Sequence, residues 1–323
     1  MVGLTATLSP YLEPWPLLGD QNIAASLTPP RQAAMYSQPV AGAERPLPPK
    51  AMRVVGSLVL LLARSLKALA DLFERLSDVA YGLLPALLPP AQLTALIREH
   101  YATAYSPAVL QSWDIDDYRL LRWETEVLSR YGISSGRMLI LGCGRGREAI
   151  AFARKGLNVV GVDTNDPALR KSRQIANTLG LRACFHQADF LQLPYAAASF
   201  DYILLGGTMY SSIPGSTRRQ AWLGDCRRLV RANGLVILSF QPPQTPRSRR
   251  KAFCTHLNQW LVTLPGANKS FQPGDDCLQG HFLHAFQTED EIRRELIGAD
   301  ALIRELDWVR GFAVLTLSCY EIK

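Results

Sequence analysis

From Gly136 onward the chain alternates short apolar runs with amphipathic stretches of helical period, and this constrains its fold more than any other feature. The runs fall at 138–141, 158–162, 183–188, 201–206 and 235–240, with helical text between them. Strand-then-helix repeated in this way predicts a parallel sheet built from βαβ units. The runs do not alternate with polar residues, which predicts strands covered by helices on both faces. An amphipathic stretch over 288–304 and an apolar run over 312–318 complete the expectation. It is an α/β chain with a Rossmann-like, mostly parallel sheet of seven strands.

The text before Gly136 is different. Pro10, Pro14, Pro16, Pro29, Pro30, Pro39, Pro46, Pro48 and Pro49 make residues 1–50 an irregular arm, since proline lacks the donor that helices and central strands need. Val55, Leu62, Leu69, Leu76 and Leu83 then recur every seven residues, with Val59, Leu66, Phe73 and Ala80 between them. This predicts a long amphipathic helix over 51–84. Its apolar run, 54–63, is too short for a bilayer core, which takes about 20 residues. The stripe is expected to bury against the main domain or a second copy in a homodimer, with peripheral membrane contact the alternative that Arg64, Lys67 and Arg75 favour. Pro85, Pro89 and Pro90 are expected to stop the helix, and further helices are predicted over 91–105 and 116–131. The expected division is an arm (1–50), a helical extension (51–112) and a main domain (113–323).

Apolar residues make up 48% of the 323-residue chain against 20% charged, which supports a sizeable core and excludes global disorder. The net charge of +7 is compatible with an anionic partner, but only Arg247, Arg249, Arg250 and Lys251 form a dense cluster. They lie in an insertion, 241–283, too long for an ordinary connection and read as a lid. The cluster is either a solvated loop or a device that attracts an anionic acceptor. Cys143, Cys184, Cys226, Cys254, Cys277 and Cys319 form no CxxC pair, so neither a metal site nor a disulfide framework is expected. The prolines and the lack of Lys or Arg before Arg31 argue against a signal peptide and for a cytoplasmic location.

The chemistry gathers at strand ends. Leu141 runs into Gly142, Cys143, Gly144, Arg145 and Gly146, and a helix is predicted over 147–155. Glycines allow a sharp turn and close approach of a ligand, and the helix start offers free N–H groups to it. The next run ends at Asp163, followed by Thr164. A carboxylate there can accept hydrogen bonds from both hydroxyls of a ribose, so an adenosine-containing ligand is expected. At the third run Asp189 could accept from an adenine amino group while Phe190 supplies a flat apolar face. Gly206 and Gly207 leave room at the end of the fourth.

In LGCGRGREA, VVGVD, QADF, FDYILLGG and LVILSF, in that order, the chain resembles the class I S-adenosylmethionine-dependent methyltransferases of bacterial small-molecule type. The likeness covers 136–240 well and 284–318 loosely. It implies that Gly142, Cys143, Gly144 and Gly146 cradle the methionine part of S-adenosylmethionine, with Asp163 and Thr164 at the ribose, Asp189 and Phe190 at the adenine, and Gly206 beside the methyl group. One position departs from the pattern. The family often has an acid two residues before the first glycine, and here that residue is Ile140, so another group must meet the ligand's amino end.

The resemblance implies in-line methyl transfer to a small-molecule acceptor. Gly206, Gly207, Thr208 and Met209 stand where base-methylating enzymes carry an Asp/Asn-Pro-Pro-aromatic tetrad, which argues against nucleic acid as the partner. The alternatives are an RNA or protein methyltransferase, an inactive cofactor-binding scaffold, and an NAD-dependent oxidoreductase. For the last, Gly144, Gly146 and Ala149 satisfy GxGxxA. No catalytic residue is fixed. Tyr210, His256, His281 and His284 are candidate bases, and Tyr101, Tyr105 and Trp113 are expected to help close the acceptor pocket.

Overall fold

The computed structural model describes residues 50–104, 118–243 and 249–317. The chain separates into two compact units, Met1–Leu72 and Phe73–Lys323. The arm predicted over 1–50 lies almost wholly outside the described residues, as do Tyr105, Trp113, Arg247 and Cys319.

The first helix, α1, spans Lys50–Leu87. In the first unit its apolar side chains, among them Val55, Leu58, Val59, Leu62, Leu66 and Leu69, are exposed. Pro85 does not stop it: the helix runs two residues further, to Leu87. Proline withholds only its own N–H, and near a helix end that loss is small because the final carbonyls need outside partners anyway. Here Asn268 supplies them, donating from Nδ2 to Pro85 O at 2.8 Å and from its backbone N–H to Ala86 O at 2.8 Å. The pair Pro89 and Pro90 ends the helix, and α2 (Pro90–Ala104) follows.

Of the residues predicted as one helix over 116–131, the described ones, 118–131, hold a shorter α3, Arg122–Arg130. Leu121 is extended before it, and its N–H is capped by Glu124 Oε2 at 2.7 Å.

The sheet then assembles from β1 (Arg137–Leu141), β2 (Asn158–Asp163), β3 (Ala183–Gln187), β4 (Phe200–Leu205) and β5 (Val230–Ser239), joined by α4 (Arg147–Arg154), α5 (Asp166–Thr178) and α6 (Ser216–Leu229). Pairing along β3-β2-β1-β4-β5 is parallel throughout. After β5 come α7 (Arg249–Leu261), a hairpin of β6 (Asp275–Leu278) and β7 (His281–His284), α8 (Glu289–Gly298), β8 (Ala301–Asp307) and β9 (Phe312–Leu317). β9 inserts antiparallel between β5 and β8, giving the order β3-β2-β1-β4-β5-β9-β8. The stretch 288–304, read as helical, divides into α8 and β8. Asp300 at φ 53° makes the turn between them.

The two faces of the sheet bury separate sets of side chains, as alternation along a strand requires. Leu139 and Leu141 face one core with Trp222 and Leu223 of α6 and Ile292 and Leu296 of α8. Met138 and Ile140 face the other with Trp123 and Val127 of α3, Ile150 of α4 and Leu169 of α5. Both layers are apolar, and the strand ends at 142, 163 and 206 share one edge.

Candidate active site

The glycine turn after β1 is held by its neighbours. Gly142, Gly144 and Gly146 have φ of 63°, 50° and 82°, the left-handed region where a Cβ is costly. A Cβ on Gly146 would also stand 2.7 Å from Ser172 Oγ. Cys143, buried between them, donates its N–H to Val162 O at 2.9 Å and ties the turn to β2.

Asp163 at the end of β2 faces this turn. Its Oδ2 accepts from the Gly144 N–H at 2.7 Å and its Oδ1 from the Asn165 N–H at 2.8 Å. Burial raises its pKa above the ordinary carboxylate value, against these backbone donors. Each oxygen keeps a second lone pair, so the aligned carboxylate can still accept from a diol. Thr164 continues the chain, its carbonyl accepting from Gln187 Nε2 at 3.1 Å. Asn165 caps α5, its side chain accepting from the Ala168 N–H at 2.9 Å.

β3 ends at Gln187, so Asp189 lies in the following loop instead of closing the strand. Its Oδ1 accepts from the Leu191 N–H at 2.9 Å, while Oδ2 pairs with Arg98 of α2. Phe190 is half-buried against the core. Sequence reading assigned Asp189 to a ligand and missed Arg98, because nothing in the text from 90 to 104 marks α2 as crossing this edge.

α2 brings more than Arg98. The Tyr101 hydroxyl lies 3.1 Å from His281 Nε2 of β7. The ring of His100 stacks on that of His281 at 5.2 Å. Burial, and then the charge of Asp163, push Tyr101 up to about 12, opposed by a hydrogen bond from Ser212. Burial, with His100 adding to it, pulls His281 down to about 4. The pair is therefore a neutral phenol and a neutral imidazole at physiological pH, beside the Asp163 carboxylate.

The other candidate bases are engaged elsewhere. Tyr210 is fully buried and donates to Glu295 Oε1 at 2.8 Å. His284 is fully buried, its Nδ1 2.7 Å from Asp275 Oδ1. His256 is exposed on α7, its Nδ1 2.8 Å from Ala252 O. In the basic cluster, Arg250 donates to both oxygens of Asp276, at 3.1 and 2.6 Å, and Lys251 lies 3.6 Å from the same carboxylate. These contacts tie Arg250 and Lys251 to one carboxylate and dock α7 onto the hairpin.

Gly206 closes β4, and a Cβ there would stand 2.9 Å from Glu148 Oε1. The side chain of Met209, from a 3-10 turn at Met209–Ser212, covers the position a Cβ on Gly142 would take. Glycines at 142, 146 and 206 thus shape a cradle at the carboxyl ends of β1 and β4, with Asp163 beside it. A nucleoside linked to a small amino acid fits such a set of donors and acceptors.

A family model described as a methyltransferase domain matches residues 138–234, the segment that carries β1 to β5 and this cradle. Over that segment the chain is similar to a methyltransferase domain. A demethylmenaquinone methyltransferase of Thermus thermophilus is 33% identical over 110 residues, 33% of this chain and 48% of the relative. A ubiquinone biosynthesis O-methyltransferase of Alkalilimnicola ehrlichii is 26% identical over 151 residues, 44% of this chain and 60% of the relative. The chain thus spans less than two thirds of the length of these curated relatives. Among solved structures, 1,6-didemethyltoxoflavin-N1-methyltransferase of Burkholderia thailandensis, with 1,6-didemethyltoxoflavin and S-adenosylhomocysteine bound, superposes with a TM-score of 0.51. It is 19% identical, and the match covers 71% of this chain and 89% of that one, a likeness of fold.

Proposed function

We propose that the methyltransferase domain binds S-adenosylmethionine and transfers its methyl group to a small-molecule acceptor. The observation that carries this reading is the Asp163 carboxylate, aligned by the Gly144 and Asn165 N–H groups beside a turn of left-handed glycines. Gly142, Cys143, Gly144 and Gly146 would hold the methionine part, Asp163 and Thr164 the ribose, and Asp189 and Phe190 the adenine, with Gly206 beside the methyl. Arg98 then shares Asp189 with the base. When bound, the sulfonium supplies an already activated methyl group, so positioning the acceptor in line supplies most of the catalysis. The relatives named for menaquinone and ubiquinone synthesis favour a small, ring-bearing acceptor. For a hydroxyl acceptor, the nearest candidate base is the His281 imidazole, paired with the Tyr101 hydroxyl; a pKa near 4 makes it a weak base, so positioning carries most of the catalysis.

The lid role of 241–283 and the division into arm, helical extension and main domain belong to the same proposal, as does a cytoplasmic location. No helix among the described residues is long and apolar enough to cross a membrane. In α1 the residues from Val54 to Leu69 are apolar over more than half of the helix circumference, with Arg64 and Lys67 on the remainder. That arc is wider than a two-stranded coiled-coil seam, and it favours peripheral contact with an anionic lipid surface over a homodimer. Flotation with vesicles of acidic phospholipid should capture the full chain and lose it when residues 50–72 are deleted. A full-length chain that stays dimeric and off the vesicles would favour the second copy instead.

For the activity itself, transfer of labelled methyl from S-adenosylmethionine into extract fractions is the test. Incorporation into low-molecular-weight material is expected, and incorporation into RNA or protein alone would overturn the acceptor class.

A further inference from the structure

This inference rests on the cofactor reading above and concerns the charged end of the ligand. The position where the resembled family often carries an acid is Ile140, which is 1% exposed inside the core and can present no polar group. Another carboxylate reaches the same strand ends from the first turn of α4. Glu148 Oε1 lies 2.9 Å from the point a Cβ on Gly206 would occupy, so it projects over the gap that glycine leaves at the end of β4. Its charge is felt in the glycine turn. The Cys143 thiol is pushed up chiefly by burial, then by the charges of Asp163 and Glu148.

Glu148 is held in place. Arg147 Nη2 donates to its Oε1 at 2.6 Å. Arg147 in turn grips Glu124 with both terminal nitrogens, Nη1 to Oε2 at 2.9 Å and Nη2 to Oε1 at 2.7 Å, and Nη1 also reaches Arg119 O at 3.0 Å. The Glu124 side chain is 1% exposed, and its anchor is therefore rigid. Burial raises the Glu124 pKa, opposed by Arg147. Burial alone would weaken the Arg147 charge, but the two flanking carboxylates outweigh it and hold the guanidinium protonated. No described residue donates to Glu148 Oε2. That oxygen, on the carboxylate whose Oε1 lies against Gly206, keeps its lone pairs for a ligand.

We infer that Glu148 accepts the α-ammonium of the ligand's amino-acid end, doing the work that an acid at position 140 would do, with Arg147 and Glu124 as positioning residues.

Calorimetry separates this role from a structural one. S-Adenosylhomocysteine carries the ammonium, whereas 5′-methylthioadenosine keeps the nucleoside and lacks the amino-acid end. In Glu148→Gln, which preserves shape and an acceptor for Arg147, affinity for S-adenosylhomocysteine should fall at least tenfold while that for 5′-methylthioadenosine stays within twofold of wild type. Glu148→Asp keeps the charge but draws it back from Gly206, and should show a smaller loss of the same selectivity. Equal losses for both ligands, or no loss for either, would overturn the assignment. A wild type that binds 5′-methylthioadenosine but not S-adenosylhomocysteine would overturn it as well. Binding of neither ligand by the wild type would bring down the cofactor reading beneath it.

Discussion

Arg219 is 0% exposed, and replacing it with methionine tests how the turn after β4 is held. Its guanidinium donates from Nε to Glu295 Oε1 at 2.7 Å, from Nη2 to Glu295 Oε2 at 2.7 Å and to Gln272 at 2.9 Å, and from Nη1 to Ile213 O at 3.1 Å. It also lies over the Phe286 ring, 5.2 Å from the centroid. The same Glu295 accepts from Tyr210, which sits in the 209–212 turn beside the cradle. Arg219→Met would leave a buried carboxylate with the tyrosine as its chief partner. Removing one member of a buried, hydrogen-bonded ion pair costs about 3–5 kcal/mol. For a domain of this size each kcal/mol is worth roughly 2–4 °C of melting temperature, so a drop on the order of 6–20 °C is expected. Differential scanning calorimetry measures it. Arg219→Met combined with Glu295→Leu should recover most of the loss, because no unpaired charge then remains. A single variant that melts within about 2 °C of wild type would refute the argument that this pair secures the turn.

Three other outcomes follow from the same geometry. Gly146→Ala forces a methyl against Ser172 Oγ at φ 82°; it should cost at least about 1–2 kcal/mol in urea denaturation, and an unchanged midpoint would contradict the strained turn. His281 has its pKa depressed to about 4 from the ordinary 6.5, so the unfolded chain binds the extra proton first, and stability should be lost as pH falls from 6.5 to 4 by up to about 3 kcal/mol. His281→Gln should flatten that acid limb in urea melts, and an unaltered slope would place the depression elsewhere. His284 is shifted the other way by Asp275 and Glu291, so its contribution is complete below its unfolded pKa and is lost as pH rises through the raised folded value. His284→Gln should therefore narrow the stability difference between acid and alkaline buffer, and a preserved difference would rule the pair out.

The sheet was legible because its strands are continuous apolar runs ending in glycine or aspartate, signals that depend on local chemistry. The runs at 138–141 and 158–162 and the turn from Gly142 to Gly146 fall where sequence places them. β8 was absorbed into a helical reading because 301–307 lies on the sheet's outer edge, where its half-exposed residues match either period. The hairpin at 275–284 carries too few residues to show alternation. The Glu124–Arg147–Glu148 cluster and the Tyr101–His281 pair join positions far apart in the chain, and no local pattern announces such pairs. Ile140 was the one sequence signal that something else must serve the ligand's charged end.

Titration calorimetry of S-adenosylhomocysteine into wild type and Asp163→Ala, with NAD as a control ligand, tests the central claim most directly. Two hydrogen bonds to a charged acceptor are each worth about 1.5–3 kcal/mol, so the variant should bind at least roughly a hundredfold more weakly while the wild type ignores NAD. Undiminished S-adenosylhomocysteine binding by a folded Asp163→Ala, or tight NAD binding by the wild type, would contradict it.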